Sequence, residues 1–216
     1  ARDERPGASA MGGAVLEDGA TLEVPWGVTV MIDANAILKL RRAYLGVGSL
    51  SQGVDRSAGS LQVLGTPRLF NAAGNVIQDQ TGQPRAGSVY FTSLHDTVIG
   101  KDANPDTSPP AARAGAWGGI IFRNDLDIAD AHRLVYEQQG IFLDYVNHAA
   151  MSYGGGSVVI NGVPQVVTPV YMIDARPTVT FNTITKSSDA ALSANPDSFE
   201  EDNFHAPRFQ GVRFTS

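Results

Sequence analysis

The chain of 216 residues contains no cysteine. This absence excludes disulfides, thiolate catalysis and zinc sites built on thiolates. No apolar run approaches the ~18 residues that cross a bilayer, so we expect no membrane insertion by this segment. Lysine and arginine form no long run and the net charge is −6, so nucleic acid and anionic membranes are not expected as partners.

The residues that are present favour a folded protein made of short strands. Hydrophobic residues make up 43% of the chain and charged residues 18%, which is unlike a disordered sequence. The 23 glycines and 12 prolines predict frequent turns. Strand patterns occur at residues 21–24, 28–32, 60–64, 88–92, 119–122, 157–160 and 179–181. Only residues 127–139 have apolar residues at helical spacing, and a short helix or an irregular excursion both fit them.

Two distant segments are nearly alike. Residues 87–93 (GSVYFTS) and 211–216 (GVRFTS) share a Val-x-Phe-Thr-Ser ending. Self-similarity of this kind is typical of stacked repeats, although chance similarity between two strands is the alternative.

Five motifs in order along the chain resemble the rungs of bacterial parallel β-helix proteins. They are residues 22–30 (LEVPWGVTV), 59–67 (GSLQVLGTP), 116–122 (AWGGIIF), 143–146 with 153–156 (LDYV, YGGG), and 181–185 with 190–194 (FNTIT, AALSA). The chain is similar to large exported surface proteins with parallel β-helix repeats, of the type abundant in planctomycete-like bacteria. The resemblance implies an all-β fold, a right-handed parallel β-helix, and an extracellular or cell-surface location.

The domain organisation follows from these motifs. We expect a lead-in or cap over residues 1–19 and a partial β-helix domain over 20–216. Irregular loop insertions are expected at about 41–58, 68–86, 101–115 and 125–139. Because the chain begins with alanine and stops on a strand-like Phe-Thr-Ser, we expect a fragment or processed product with an incomplete C-terminal end. Such an end exposes unpaired backbone and is expected to self-associate or to join neighbouring rungs of the same protein.

A candidate calcium site lies near the middle of the chain. Oxygen side chains alternate at Asp102, Asn104 and Asp106, and Asp96 could add another carboxylate. The segment lacks the glycine and the distal glutamate of an EF-hand, and two prolines follow it. A calcium site and an ordinary proline-stiffened loop are therefore the two interpretations.

Two further sets of residues raise the question of catalysis. Asp125, Asp127 and Asp130 could supply an acid/base pair for glycoside cleavage, or form a hydrated surface. Asp144 and His148 are four residues apart and could share one face of a strand, but no third ligand can be named. The other histidines lack ligand-like spacing, so no zinc site is expected.

Several residues suggest roles in the fold or on its surface. Asn182 is a candidate for an inward corner asparagine that bonds neighbouring backbone, or for a solvent-facing turn residue. Residues 154–156 (GGG) favour a tight turn. The large aromatics could form an exposed platform for sugars, or they could be buried or cap a rung, as we expect particularly for Trp117. These are Trp26, Trp117, Tyr136, Tyr145 and Tyr153.

The function expected from the sequence is non-catalytic. We expect a structural or adhesive segment of a large surface protein, whose partners are itself, neighbouring rungs or glycans. The alternative is a carbohydrate-active β-helix, either a polysaccharide lyase or hydrolase or a glycan-binding module. No nucleophile elbow and no phosphate-binding loop of the Walker type occurs in the sequence.

Overall fold

The computed structural model describes residues 22–25, 27–48, 56, 59–101, 110–123, 143–160 and 162–198. These residues form fifteen strands and a 3₁₀ turn at Pro196–Ser198. The strands are β1 Leu22–Glu23, β2 Thr29–Asp33, β3 Ile37–Leu40, β4 Leu45–Val47, β5 Ser60–Leu64, β6 Val89–Ser93, β7 Ile120–Arg123, β8 Tyr145–Asn147, β9 Ala149–Ser152, β10 Ser157–Ile160, β11 Val163–Val166, β12 Val170–Ile173, β13 Thr178–Thr180, β14 Thr183–Thr185 and β15 Leu192–Ala194.

Thirteen of these strands build three parallel sheets. Sheet 1 contains β2, β5, β8 and β13, sheet 2 contains β3, β6, β9 and β14, and sheet 3 contains β1, β4, β7, β12 and β15. The chain visits sheets 1, 2 and 3 in that order four times, so each visit to the three sheets is one rung of a coil. The remaining two strands, β10 and β11, pair antiparallel. The all-β fold and the parallel β-helix predicted from the sequence are confirmed.

The core lies inside the coil, where strand register aligns apolar side chains of successive rungs. Alternate residues of a strand face inward, so each inward position forms a column through the stack. The columns include Ile32, Val63, Val146 and Val179 in sheet 1, Leu38, Phe91, Met151 and Ile184 in sheet 2, and Leu45, Ile120, Val170 and Leu192 in sheet 3. No rung can bury its inner face alone, so stacking stabilises all of them.

A second apolar cluster covers the outer face of sheet 3. Val158 and Ile160 of β10 pack there against Ile121, together with Tyr44 and Val167. The strand predicted at 157–160 therefore exists, but it belongs to a hairpin laid outside the coil. Because both faces of β7 are covered, residues 120–122 are all apolar rather than alternating, and only Arg123 at the end of the strand is charged.

The corners of the coil turn through single residues in the left-handed backbone region. Asn35, His148 and Phe181 lie between sheets 1 and 2, Arg42, Tyr153 and Lys186 follow sheet 2, and Asp174 follows sheet 3. Non-glycine residues visit this region rarely and singly, and each of these connections contains one of them; between β8 and β9, His148 is the whole connection. Tyr153 and Lys186 consequently occupy equivalent positions in neighbouring rungs.

Asn182 bridges two rungs at the corner between sheets 1 and 2. Its Oδ1 accepts a hydrogen bond from the Ala149 N–H at 2.7 Å, and its Nδ2 donates to the Val146 carbonyl at 2.7 Å. Both backbone groups belong to buried residues of the preceding rung. The predicted corner role of Asn182, bonding neighbouring backbone, is confirmed.

The segment expected as an insertion at 41–58 contains β4, a regular strand of sheet 3. The rung therefore continues into this segment. Gly46 interrupts the apolar pattern of this strand, and the Glu23 side chain occupies the space beside it, 2.1 Å from where a Cβ on Gly46 would lie. The Glu23 carboxylate accepts the hydroxyl of Tyr44 at 2.6 Å.

The segment expected as an insertion at 68–86 falls within a surface excursion between β5 and β6, residues 66–87, which we call the turn lobe. It contains two successive turns of the same design, one every eight residues. In the first, the Asn71 side chain accepts the N–H groups of Ala73 and Asn75, and in the second Asp79 accepts those of Thr81 and Gln83. Side chains that bond backbone two and four residues ahead favour compact turns.

Residues 102–109, 124–142 and 199–216 lie outside the described residues, as do residues 1–21. They include the helical pattern at 127–139, the acidic cluster at Asp125, Asp127 and Asp130, the second copy of the Phe-Thr-Ser repeat, and most of the segments expected as insertions at 101–115 and 125–139.

Candidate functional site

The candidate site is a groove of about 250 Å³ on the outer face of sheet 2, called the sheet 2 groove. Its floor combines two rows of outward side chains from three successive rungs. One row is Tyr90, Ala150 and Thr183, and the other is Thr92, Ser152 and Thr185. Residues far apart in sequence therefore meet because the rungs are stacked in register.

Segments that follow the strands of sheet 2 border the groove. Val98 and Ile99 come from the loop after β6, while Tyr153 and Lys186 follow β9 and β14. Val98 is 85% exposed, so its apolar side chain is presented to solvent at the border. The carboxyl ends of parallel strands meet at one edge of the sheet, which explains why these four residues are neighbours.

Lys186 supplies a positive charge to the groove. Its Nζ donates to the Tyr153 hydroxyl at 2.9 Å and lies 4.8 Å from the centre of the Tyr153 ring. The hydrogen bond with the Tyr153 hydroxyl raises the pKa of Lys186 above its ordinary value. The ammonium group is therefore charged at neutral pH and is held beside an aromatic ring.

Asp96 is a buried carboxylate that shapes the groove. One oxygen accepts the Thr92 hydroxyl at 2.5 Å, and the other accepts the N–H groups of Val98 at 2.9 Å and Ile99 at 3.3 Å. Burial raises the pKa of the Asp96 carboxyl, but these hydrogen bonds and the charge of Lys39 together lower it below the ordinary value. Asp96 therefore fixes the loop that carries Val98 and stays ionised.

Replacing Asp96 with asparagine is expected to destabilise the protein by about 2 kcal/mol at neutral pH, because charged hydrogen bonds are lost from a buried site. A carboxyl whose pKa is depressed on folding stabilises above its unfolded pKa, and that contribution is lost as pH falls through the native pKa. The difference in the free energy of unfolding between wild type and Asp96→Asn should therefore shrink below about pH 3.9, the ordinary pKa of aspartate. Urea unfolding at several pH values measures it.

Asp79→Asn is the matched control for this prediction. Asp79 also accepts backbone N–H groups in a turn and also has a lowered pKa, mainly through the hydrogen bond from the Thr81 side chain, but it is exposed. Its replacement should change stability less than Asp96→Asn. Equal losses of stability in the two variants would contradict the role of Asp96. So would a stability difference between wild type and Asp96→Asn that persists in acid.

The residues predicted to bind calcium are only partly placed. Asp102, Asn104 and Asp106 lie outside the described residues, whereas Asp96 lies in the loop after β6 with its oxygens engaged as above. Within the described ranges, no group of three His, Asp or Glu side chains could hold a metal ion. Calcium binding stays a prediction, and melting curves with calcium and then with chelator test it. Saturation at a hundred times the dissociation constant would stabilise the fold by about 2.7 kcal/mol.

Asp144 and His148 have separate roles in the structure. Asp144 is buried before β8 and accepts the Leu61 N–H at 2.8 Å. His148 forms the corner after β8, and its ring stacks on Phe181 with centroids 5.0 Å apart. The two residues flank the strand rather than lie along it, which is why the period-two argument does not apply to them.

The predicted aromatic residues divide between core and surface. Trp117 is fully buried, stacks on Phe91 with centroids 6.1 Å apart, and donates its Nε1–H to the Ser152 carbonyl at 2.8 Å. Tyr153 borders the groove, and Tyr145 is half-buried in β8. Trp26 and Tyr136 lie outside the described residues.

Sequence reasoning missed most of the groove. Tyr90, Thr183, Thr185 and Lys186 were not singled out, because their relation depends on the register of β6, β9 and β14. The alternating Thr-Ile-Thr of β14 was a usable signal, since it places two hydroxyls on one face of a strand.

Comparisons with protein-family models, with curated proteins and with solved structures gave no match. None of the described segments forms a helix of the length and apolar character that a membrane span requires.

Proposed function

We propose that the chain is a non-catalytic structural or adhesive segment of a large exported β-helix protein at the cell surface. The observation that carries the proposal is the stack of rungs. Among the described residues, β13, β14 and β15 are the last strands of the three sheets, and each pairs with another strand on one side only. Within the described part of the chain their other edges have no strand partner, so a further rung can bond the backbone groups there. The resemblance of the sequence motifs to rungs of bacterial surface proteins supports the exported location.

The inner side chains of this rung also favour addition of another rung. Val179 and Ile184 are only partly buried, and Leu192 is 40% exposed, although each continues an apolar column of the core. A rung from a longer chain or from a second copy would cover these side chains, and burial of apolar area stabilises such an assembly by about 25 cal/mol per Å². We infer that the partner is a further β-helix rung.

Association measured by sedimentation velocity tests the proposal. The wild-type chain is expected to form higher assemblies as concentration rises, and Leu192→Lys is expected to weaken them because a charge on a strand edge opposes stacking. Val163→Lys is the control, since Val163 is 55% exposed on the hairpin, away from this rung. A wild-type chain that stays monomeric at high concentration, or equal effects of the two variants, would contradict rung addition.

A glycan-binding module is the second candidate, and the sheet 2 groove favours it. The groove offers hydroxyl groups, tyrosines and a lysine on a flat sheet face, a mixture suited to polar ligands with apolar patches. Asp96 is the carboxylate among the described residues that line the groove. Because it is ionised and already accepts hydrogen bonds, it cannot donate a proton, which suits binding rather than acid catalysis. Incubation with polysaccharides should therefore yield binding without new chain ends.

A further inference from the structure

The chemistry of the sheet 2 groove specifies more than a generic sugar site. Thr183 and Thr185 project outward from β14 and are exposed, and within the described residues neither hydroxyl has a hydrogen-bond partner. Hydroxyl groups donate and accept, so two on one face can bond the hydroxyls of a ligand that lies across the strands. These two groups are available without breaking any bond of the fold.

The groove also has an apolar part beside the hydroxyls. Tyr90 and Ala150 are neighbours in register on the floor, and Val98 and Ile99 border it. The pyranose ring of a sugar has apolar C–H faces, which pack on aromatic and aliphatic side chains while its hydroxyls bond the polar ones. The floor therefore matches both kinds of surface that a sugar presents.

Among the described lining residues the groove has one ammonium group, Lys186, and one ionised carboxylate, Asp96, which attract each other. Lys186 is exposed at the border, whereas the carboxylate oxygens of Asp96 are turned to Thr92 and to the loop backbone. An anionic group on the ligand would form a charge-assisted hydrogen bond with the Lys186 ammonium. Because the Asp96 oxygens are already bonded and Lys186 is exposed, the charged group that a ligand can reach is the ammonium, which favours an acidic ligand.

The groove cannot bind a peptide by strand addition. One common mode of peptide binding adds a strand to a sheet edge, where backbone groups are unpaired, and the geometry of the groove excludes this mode. The floor of the groove is a sheet face, and the backbone of β9 is paired with both β6 and β14. Recognition here must use side chains.

We propose that the sheet 2 groove binds an acidic saccharide, with the sugar ring over Tyr90 and Ala150, its hydroxyls bonded to Thr183 and Thr185, and its carboxylate or sulfate paired with Lys186. The volume of about 250 Å³ is below the ~300–1,000 Å³ of clefts that enclose drug-sized ligands, so the groove holds one or two sugar units and binds them weakly. The inference deepens the glycan-binding candidate above and does not depend on rung stacking.

Titration of the full chain with an oligogalacturonate, followed by NMR, tests this assignment. Binding should perturb the amide signals of Thr183, Thr185 and Lys186, while an uncharged galactose oligomer of equal length binds more weakly. Lys186→Gln should lower the affinity about fivefold, as expected for one exposed ion pair, and high salt should have a similar effect. Lys186→Arg should retain affinity because it keeps the positive charge. Thr185→Val should lose affinity because valine has nearly the shape of threonine but no hydroxyl group.

Arg68→Ala is the charge-matched control, because Arg68 is an exposed cation in the turn lobe. It should bind the oligogalacturonate like wild type. Equal affinity for the charged and uncharged oligomers, or equal loss in Lys186→Gln and Arg68→Ala, would overturn the acidic ligand class. Absence of binding to either oligomer by the folded chain would overturn the site itself. None of these binding results bears on assembly, which sedimentation velocity measures separately.

Discussion

Replacing Trp117 with alanine is expected to lower the free energy of unfolding by about 3–5 kcal/mol, the usual loss when a large buried aromatic is truncated. The side chain is fully buried, stacks on Phe91, and bonds the Ser152 carbonyl through Nε1. Phe91 belongs to sheet 2, whereas Trp117 precedes the sheet 3 strand β7 of the same rung. The substitution therefore removes contacts between two sheets as well as a hydrogen bond.

Trp117→Phe separates these contributions. Phenylalanine keeps most of the packing on Phe91 but cannot donate to the Ser152 carbonyl, and the loss of this part-buried hydrogen bond should cost about 0.5–1.5 kcal/mol. Urea unfolding with linear extrapolation measures both variants. A Trp117→Ala loss below about 1 kcal/mol, the typical effect of an average substitution, would contradict the central position of this residue in the core.

Asn182→Ala is expected to cost about 2–3 kcal/mol, because it leaves the Ala149 N–H and the Val146 carbonyl without their side-chain partner. Both groups lie at a corner between buried residues, where water replaces the amide poorly. The measurement is again urea unfolding.

Asn71→Ala provides the comparison, since the Asn71 side chain also makes two backbone hydrogen bonds, but at an exposed turn of the lobe. Solvent can replace those bonds, so the expected loss is well under that of Asn182→Ala. Similar losses for the two asparagines would indicate that burial at the corner is not what makes Asn182 important.

The parts of the fold that sequence reasoning located are those where side-chain chemistry matches the strand environment. In β5, buried Leu61 and Val63 alternate with less buried residues, and the predicted strand at 60–64 coincides with the observed one. In β9, by contrast, Ala149, Ala150 and Met151 lack the β-branched or aromatic character of a strand, so propensity did not reveal it. Stacking between β6 and β14 overrides that weak local preference.

The groove was harder to predict than the core for a related reason. An inward column needs only apolar residues at alternate positions, and these are visible in each strand separately. The row Thr92, Ser152 and Thr185 exists only when β6, β9 and β14 are placed in register. The connections between these strands differ in length, so sequence spacing does not reveal which residues are aligned. Because a shift of one residue would turn every side chain to the other face, no single strand predicts the row.

Disulfide mapping of β9 against β14 tests the stacked, parallel register most directly, because the chain has no cysteine of its own. Ala150 and Thr183 are aligned, as are Ser152 and Thr185, on the outer face. Aligned positions in adjacent strands are about 4.8 Å apart, within disulfide range, whereas the crossed combinations are about 8 Å apart and beyond it.

The four double-cysteine variants are oxidised under mild conditions and the cross-links are identified by mass spectrometry. We expect Ala150→Cys with Thr183→Cys, and Ser152→Cys with Thr185→Cys, to form disulfides in the folded chain, while the crossed combinations of 150 with 185 and 152 with 183 stay reduced. Cross-linking of the crossed combinations in preference to the aligned ones would indicate antiparallel pairing and would contradict the β-helix.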